Sequence, residues 1–175
     1  MKKIQSLAAI AMLLALRVVL GIFANGTLAF FGNAIKISAA FLPIALAGAM
    51  YGPISAAIVG SLGDVLAYFI APTEGGFFPG ITICGAITGL IYGIAFYKQK
   101  ITFLRVIIAW IINALVADTF QMAFWLYIIY GGSYMVWLIP RLIGQAIKCV
   151  PEILLIFSLG QLRDILLKSL GKIQK

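Results

Sequence analysis

The sequence predicts an all-α membrane protein, a bundle of six transmembrane helices with both termini in the cytoplasm. Three observations carry this expectation. Hydrophobic residues make up 63% of the chain and charged residues only 10%, which leaves too little polar surface to solvate a soluble globule of 175 residues. The apolar runs approach the roughly 20 residues needed to cross about 30 Å of hydrocarbon, and they lack the period-two alternation of a membrane barrel. Basic residues gather at alternate connections, where the positive-inside rule places the cytoplasm.

Helix 1 is expected over residues 4–24. Met1-Lys2-Lys3 followed by an apolar run resembles a signal peptide, but Arg17 lies inside the run and no small-x-small cleavage site follows a compact apolar core, so the segment reads as a retained helix. Helix 2, over 37–51, is short and carries Pro43 and Gly48, which favour a bend or tilt. Helices 3 to 6 follow over 54–71, 80–97, 102–129 and 135–165. Helix 4 presents Gly85, Gly89 and Gly93 at four-residue spacing, a ridge for close helix packing. The whole chain, 1–175, reads as a single transmembrane domain without an internal repeat.

Lys2 and Lys3, then Lys98, Lys100 and Arg105, then Arg163, Lys168, Lys172 and Lys175 fall on one side if six helices cross. Most of the net charge of +8 is thus a topology signal, and nucleic acid is not an expected partner. The opposite connections, 25–36, 72–79 and 131–134, include two that are long and rich in Gly and Phe. They read either as lids or as interfacial loops with an aromatic belt.

Polar side chains at membrane depth are the informative exceptions, because they face a bundle interior or a water-filled cavity. Arg17 lies roughly 18 Å into helix 1 and Asp64 about 15 Å into helix 3, depths at which the two can pair. Asp118 and Arg141 fall together in the outer half, where they too can pair. At 100° per residue, Tyr134, Trp137, Arg141, Gln145, Lys148 and Glu152 occupy about 80° of helix 6, and Asp118, Gln121 and Trp125 about 60° of helix 5. Two such stripes predict an outward-opening cavity suited to a planar polar heterocycle, whose edge would meet Asp, Asn113 or Gln. On helix 1, Ala8, Ala11 and Ala15 form a small-residue stripe about 200° away from Arg17.

No catalytic machinery is legible. The chain has no histidine, its five carboxylates are dispersed, and Cys84 and Cys149 read as small buried hydrophobes. There is no nucleotide-binding GxxxxGK[ST] loop and no HExxH or CxxC, so no metal or cofactor is expected. An ion-coupled carrier using Asp64 and Asp118 would need two matching halves with broken helices, which the sequence lacks. A binding subunit that takes its energy from elsewhere fits better.

Three stretches carry a resemblance: AIAMLLALRVVL in helix 1, the run over residues 37–93 including YGP at Tyr51 and PTEGGFFPGIT ending at Thr82, and IPRLIGQAIKCVPEILL in helix 6. They resemble the S components of energy-coupling factor vitamin transporters, within them the folate-specific type, over nearly the whole chain. The resemblance implies a six-helix subunit of the prokaryotic plasma membrane that holds one vitamin in an outward cavity capped by the loops after helices 1 and 3. It implies a transmembrane coupling subunit and two ABC-type ATPases as partners, and a topple in the membrane that carries substrate inward. The family's AxxxA contact with the coupling subunit matches Ala11 and Ala15. Its loop residues match Pro72, Thr73, Gly75, Gly76, Phe77, Phe78 and Pro79, while Glu74 departs from the smaller residue expected. For folate, the pterin edge would meet Asp64 or Asp118, Phe77, Phe78, Trp125 and Trp137 would supply stacking surfaces, and the glutamate tail would meet Lys36 or Arg141. Riboflavin, thiamine or a pterin-like compound are the rival ligands.

Overall fold

The computed structural model describes residues 2–27, 29–30, 35–36, 39–72 and 76–173, with side chains for 4–22, 39–72, 76–161 and 163. The elements are α1 (Lys2–Thr27), β1 (Ala29–Phe30), β2 (Ile35–Lys36), α2 (Phe41–Tyr51), α3 (Pro53–Ile70), α4 (Pro79–Phe96), α5 (Phe103–Asn113), a π-helical segment (Ala114–Gln121), α6 (Met122–Tyr130) and α7 (Tyr134–Ile173). Among the described residues the fold is all-helical apart from the two-residue antiparallel pair, in which Ala29 faces Lys36 and Phe30 faces Ile35.

Five helices among the described residues are long and apolar enough to cross a membrane: Ile4–Ile22, Pro53–Ile70, Pro79–Phe96, Phe103–Tyr130 and Tyr134–Gln161. The short helix, α2, has 11 residues, about 16 Å of rise, well under the hydrocarbon thickness. It compensates by being enclosed. Pro43, Ile44, Ala45, Ala47, Gly48 and Ala49 are all buried, and α1, α3, α4 and α7 all pack against it. Pro43 sits in its first turn, where the missing N–H removes no helical bond.

Gly52 alone separates α2 from α3. Its φ of 97° and ψ of 176° lie in a region only glycine adopts comfortably. Its N–H donates to the Gly48 carbonyl and its carbonyl accepts from Ala56, each at 3.1 Å. Pro53 then opens α3 at a position that needs no N–H. Tyr51-Gly52-Pro53 therefore reverses the chain without a loop.

The most extensive pairing joins α3 to α4. Along it a Cβ on Gly93 would strike Pro53, one on Gly89 would strike the Ala56 backbone, and one on Gly85 would strike the Gly60 carbonyl. The glycine ridge seen in the sequence is thus an antiparallel backbone contact, and on its other side Gly93 also receives Gly48 of α2. Dispersion and close packing drive such contacts in lipid, where no hydrophobic gain separates helix from solvent. Beside this layer of helices lies an apolar core of Tyr92, Phe96, Val106, Ala109, Trp110, Ile153 and Ile156, with the Tyr92 and Phe96 rings stacked at 5.8 Å.

Two substitutions test this frame by thermal unfolding in detergent. Gly52→Ala is expected to destabilise by about 1–3 kcal/mol through backbone strain. Gly89→Val is expected to exceed about 3 kcal/mol, because the backbone it meets cannot move aside as a side chain can.

Candidate ligand-binding site

The long rod from Phe103 to Tyr130 changes winding in its middle, and the candidate site is built on that change. A π-helix bonds i to i+5 and appears mostly at functional positions. Here it aligns residues five apart, and the Asn113 Nδ2 donates to Asp118 Oδ2 at 3.1 Å. In an α-helix the same two residues would stand about 140° apart. The angular arithmetic of a regular helix therefore fails across 114–121. Asp118, Gln121 and Trp125 are nevertheless half-buried, while Leu115, Val116, Phe120 and Phe124 face outward.

On α7, which is regular, the predicted stripe is seen directly. Tyr134, Trp137, Arg141, Gln145, Lys148 and Glu152 are all half-buried or buried, whereas Met135, Val136, Ile139, Ile143, Ile147 and Val150 are each more than half exposed. Tyr134 Oη donates to the Phe120 carbonyl at 3.2 Å, and Trp137 Nε1 donates to the Gly131 carbonyl at 3.0 Å. The Trp137 ring lies 5.5 Å from that of Tyr130.

Arg141 and Asp118 do come together, with one correction of atoms. Arg141 Nη1 donates to the backbone carbonyl of Asp118 at 3.3 Å and not to its carboxylate. The π winding turns that carboxylate back towards Asn113, and Gln145 and Lys148 of α7 are its other favourable neighbours. Deeper along α7, Glu152 accepts from Trp110 Nε1 at 2.7 Å and lies 3.9 Å from Lys148 Nζ.

The aromatic wall divides. Phe78 packs on Trp125 at 5.5 Å, Phe124 flanks Trp125 at 5.2 Å, and Gly80 makes room for the Trp125 ring. Phe77, its neighbour in sequence, is 44% exposed and packs instead against Tyr68 at 5.4 Å and Phe69 at 6.3 Å. Arg17 and Asp64 pair at 3.4 Å, and Thr82 Oγ1 donates to the second Asp64 oxygen at 3.5 Å. That cluster ties α1 to α3 and α4. Ala8, Ala11 and Ala15 are exposed on α1. The backbone of β2, which contains Lys36, rests against α7, but the Lys36 side chain lies outside the described residues, as do Thr73, Glu74 and Gly75.

The unused hydrogen-bonding groups are the most telling feature. Asn113 Oδ1, Gln121 Oε1, Gln145 Oε1 and Trp125 Nε1 are buried with no protein partner, as are Arg17 Nε, Thr119 Oγ1 and Arg163 Nε outside this set. An unmatched polar atom away from water costs several kcal/mol unless water or a ligand completes it. Three acceptors and one donor suit a ligand with an N–H-rich edge. Among the described residues no group of His, Cys, Asp or Glu is placed to hold a metal.

Sequence reasoning missed Trp110 and Thr82 as partners. The signal for Trp110 was present, since it lies one turn before Asn113 on the same face. For the Asn113–Asp118 bond there was none, because its spacing has meaning only in π winding.

Residues 5–160 match the family described as "ECF transporter, substrate-specific component". The chain belongs to this family. As an S component it is a multi-pass cell-membrane protein and a substrate-binding subunit of a transporter, not an enzyme. It is 31% identical over 175 residues to "Folate transporter FolT" of Clostridium novyi, spanning 100% of this chain and 98% of that one. To "Folate transporter FolT" of Leuconostoc mesenteroides subsp. mesenteroides it is 32% identical over 144 residues, 79% of this S component and 75% of the relative. A solved structure, "Crystal structure of FolT bound with folic acid", superposes with a TM-score of 0.77 at 31% identity, covering 90% of this chain and 96% of that chain.

Trp110→Phe keeps an aromatic ring and removes the donor to Glu152. It is expected to lower stability by about 2 kcal/mol, since a buried carboxylate loses its shortest hydrogen bond. Thermal unfolding in detergent measures this, followed through the aggregation of a fluorescent fusion because the substitution itself removes a tryptophan signal.

Proposed function

We propose that this S component binds folate from outside the cell and delivers it inward with an ATPase-driven coupling module. The observation that carries the reading is the set of unpartnered acceptors, Asn113, Gln121 and Gln145, beside the Asp118 carboxylate. A pterin presents an amino group and a ring N–H along one edge, the donors that this set lacks, and its flat ring suits the Phe78 and Trp125 wall. The relatives whose names include folate, and the folic-acid-bound structure, support the same ligand.

In this reading the ring enters between the π segment and α7, and Asp118 with the amides takes its edge. Trp125 Nε1 donates to a ring acceptor. Arg141, nearer the Gly131 turn, and Lys36 are the cations available to the glutamate tail. Asp64 is engaged with Arg17 and Thr82, so it acts by holding α1, α3 and α4 together. Phe77 joins the Tyr68 and Phe69 cluster at the mouth, and Trp137 with Tyr134 lines the approach. The chain forms one domain with both termini in the cytoplasm, and the bare alanine stripe of α1 meets the transmembrane coupling subunit, which carries two ABC-type ATPases.

Folate titration of the purified chain by intrinsic fluorescence tests the site. Trp125→Phe is expected to weaken binding about tenfold, the worth of one hydrogen bond to a ligand, and Asn113→Leu by more than that. Tight binding of riboflavin or thiamine with none of folate would overturn the ligand. Proteoliposome uptake tests the coupling: Ala11→Leu should leave folate affinity unchanged and abolish transport by the full assembly. Uptake by the isolated chain under an ion gradient would refute the need for that assembly.

A further inference from the structure

At the opposite end of the bundle from the proposed folate site, an open groove of about 720 Å³ runs between α4 and α5. Its walls are Ile91 and Ile94 on one side and Leu104, Ile108 and Ile112 on the other, and Arg105 stands at its Lys98 end. From Arg105 to Ile112 the α5 wall rises about 10 Å, most of the roughly 15 Å half-thickness of a bilayer. The groove is therefore a slot one leaflet deep, apolar along its length and polar only at its mouth, where Gln99 and Thr102 join Arg105.

Among the described residues no carboxylate answers the charge at that mouth. Arg105 Nη1 donates to Gln99 Oε1 at 2.9 Å, a neutral partner. Lys98 and Lys100 are exposed, and Lys98 lies over the Tyr97 ring at 5.1 Å. The ion pairs among the described residues are Arg17 with Asp64 and Lys148 with Glu152, both elsewhere. Lys98 is also the one non-glycine residue at positive φ among those described, at 53°, in a turn that follows α4 and leads through Lys100 to Arg105, the cation that lines the slot.

We propose that this groove is a binding site for an anionic phospholipid, one acyl chain lying between α4 and α5 and the phosphate meeting Arg105 with Lys98 and Lys100. A partner helix would bring an apolar face and leave the three cations unanswered, whereas a phospholipid supplies the tail and the counter-charge in one molecule. The proposal is independent of the folate reading, since none of its residues belongs to the candidate ligand site.

Native mass spectrometry of the full chain in detergent, with equal amounts of phosphatidylglycerol and phosphatidylcholine carrying the same acyl chains, tests it. The expected result is preferential retention of one phosphatidylglycerol. Each basic residue near an anionic headgroup is worth about fivefold, so the K100Q/R105Q double variant should lose the preference by about twenty-fivefold. Arg105→Lys should restore much of it in the K100Q background. Ile108→Trp, which fills the slot and leaves the cations in place, should lose the lipid while thermal unfolding in detergent shows the fold intact. Equal retention of both lipids by the wild type, an unchanged preference in K100Q/R105Q, an Ile108→Trp variant that still holds its lipid, or a dimer mass in place of a lipid adduct would each overturn the proposal.

Discussion

The backbone contact of α3 with α4 sets the geometry of everything else. Glycine at 60, 85, 89 and 93 lets the two helices approach until main chain meets main chain. The sequence omits the side chains that would hold them apart, and the loss of side-chain burial is offset by dispersion along the whole interface. Thr82 of α4 thereby comes within reach of Asp64 of α3, and Gly80, at the start of α4, offers its bare backbone to Trp125. A structural pairing and the aromatic wall of the candidate site hang from one contact.

The remaining architecture follows from the scarcity of water at membrane depth. Charged side chains carried inward are given protein partners: Arg17 with Asp64, Lys148 with Glu152, Glu152 with Trp110, and Arg141 with the Asp118 carbonyl. Against that background, the unmatched amide oxygens of Asn113, Gln121 and Gln145 stand out. The same constraint that satisfies most structural groups makes the unsatisfied amides candidates for contact with a ligand.

The legibility of these features in the sequence depends on regularity. The α7 face from Tyr134 to Glu152 is readable because the stretch stays α-helical throughout, even with Pro140 and Pro151 inside it, and burial follows the predicted arc. The rod through Asp118 is less readable, since composition gives no warning that Ala114–Gln121 winds as a π-helix. For that reason the sequence places Arg141 and Asp118 at matching depth but misassigns their bonding atoms. Phe77 and Phe78 are indistinguishable in the sequence, because a turn has no period from which to tell which ring faces in. The family is visible through local signatures such as Tyr51-Gly52-Pro53, whose meaning the Gly52 geometry explains.

The π segment has a genealogical consequence. A residue removed between Ala114 and Gln121 would let the rod relax to ordinary winding while Trp125 and all of α6 kept their facing, because the wider turn already absorbs one extra residue. Descendants of this chain can therefore drop one residue there and keep every downstream side chain facing as it does now, whereas dropping two would re-aim them all by about 100°.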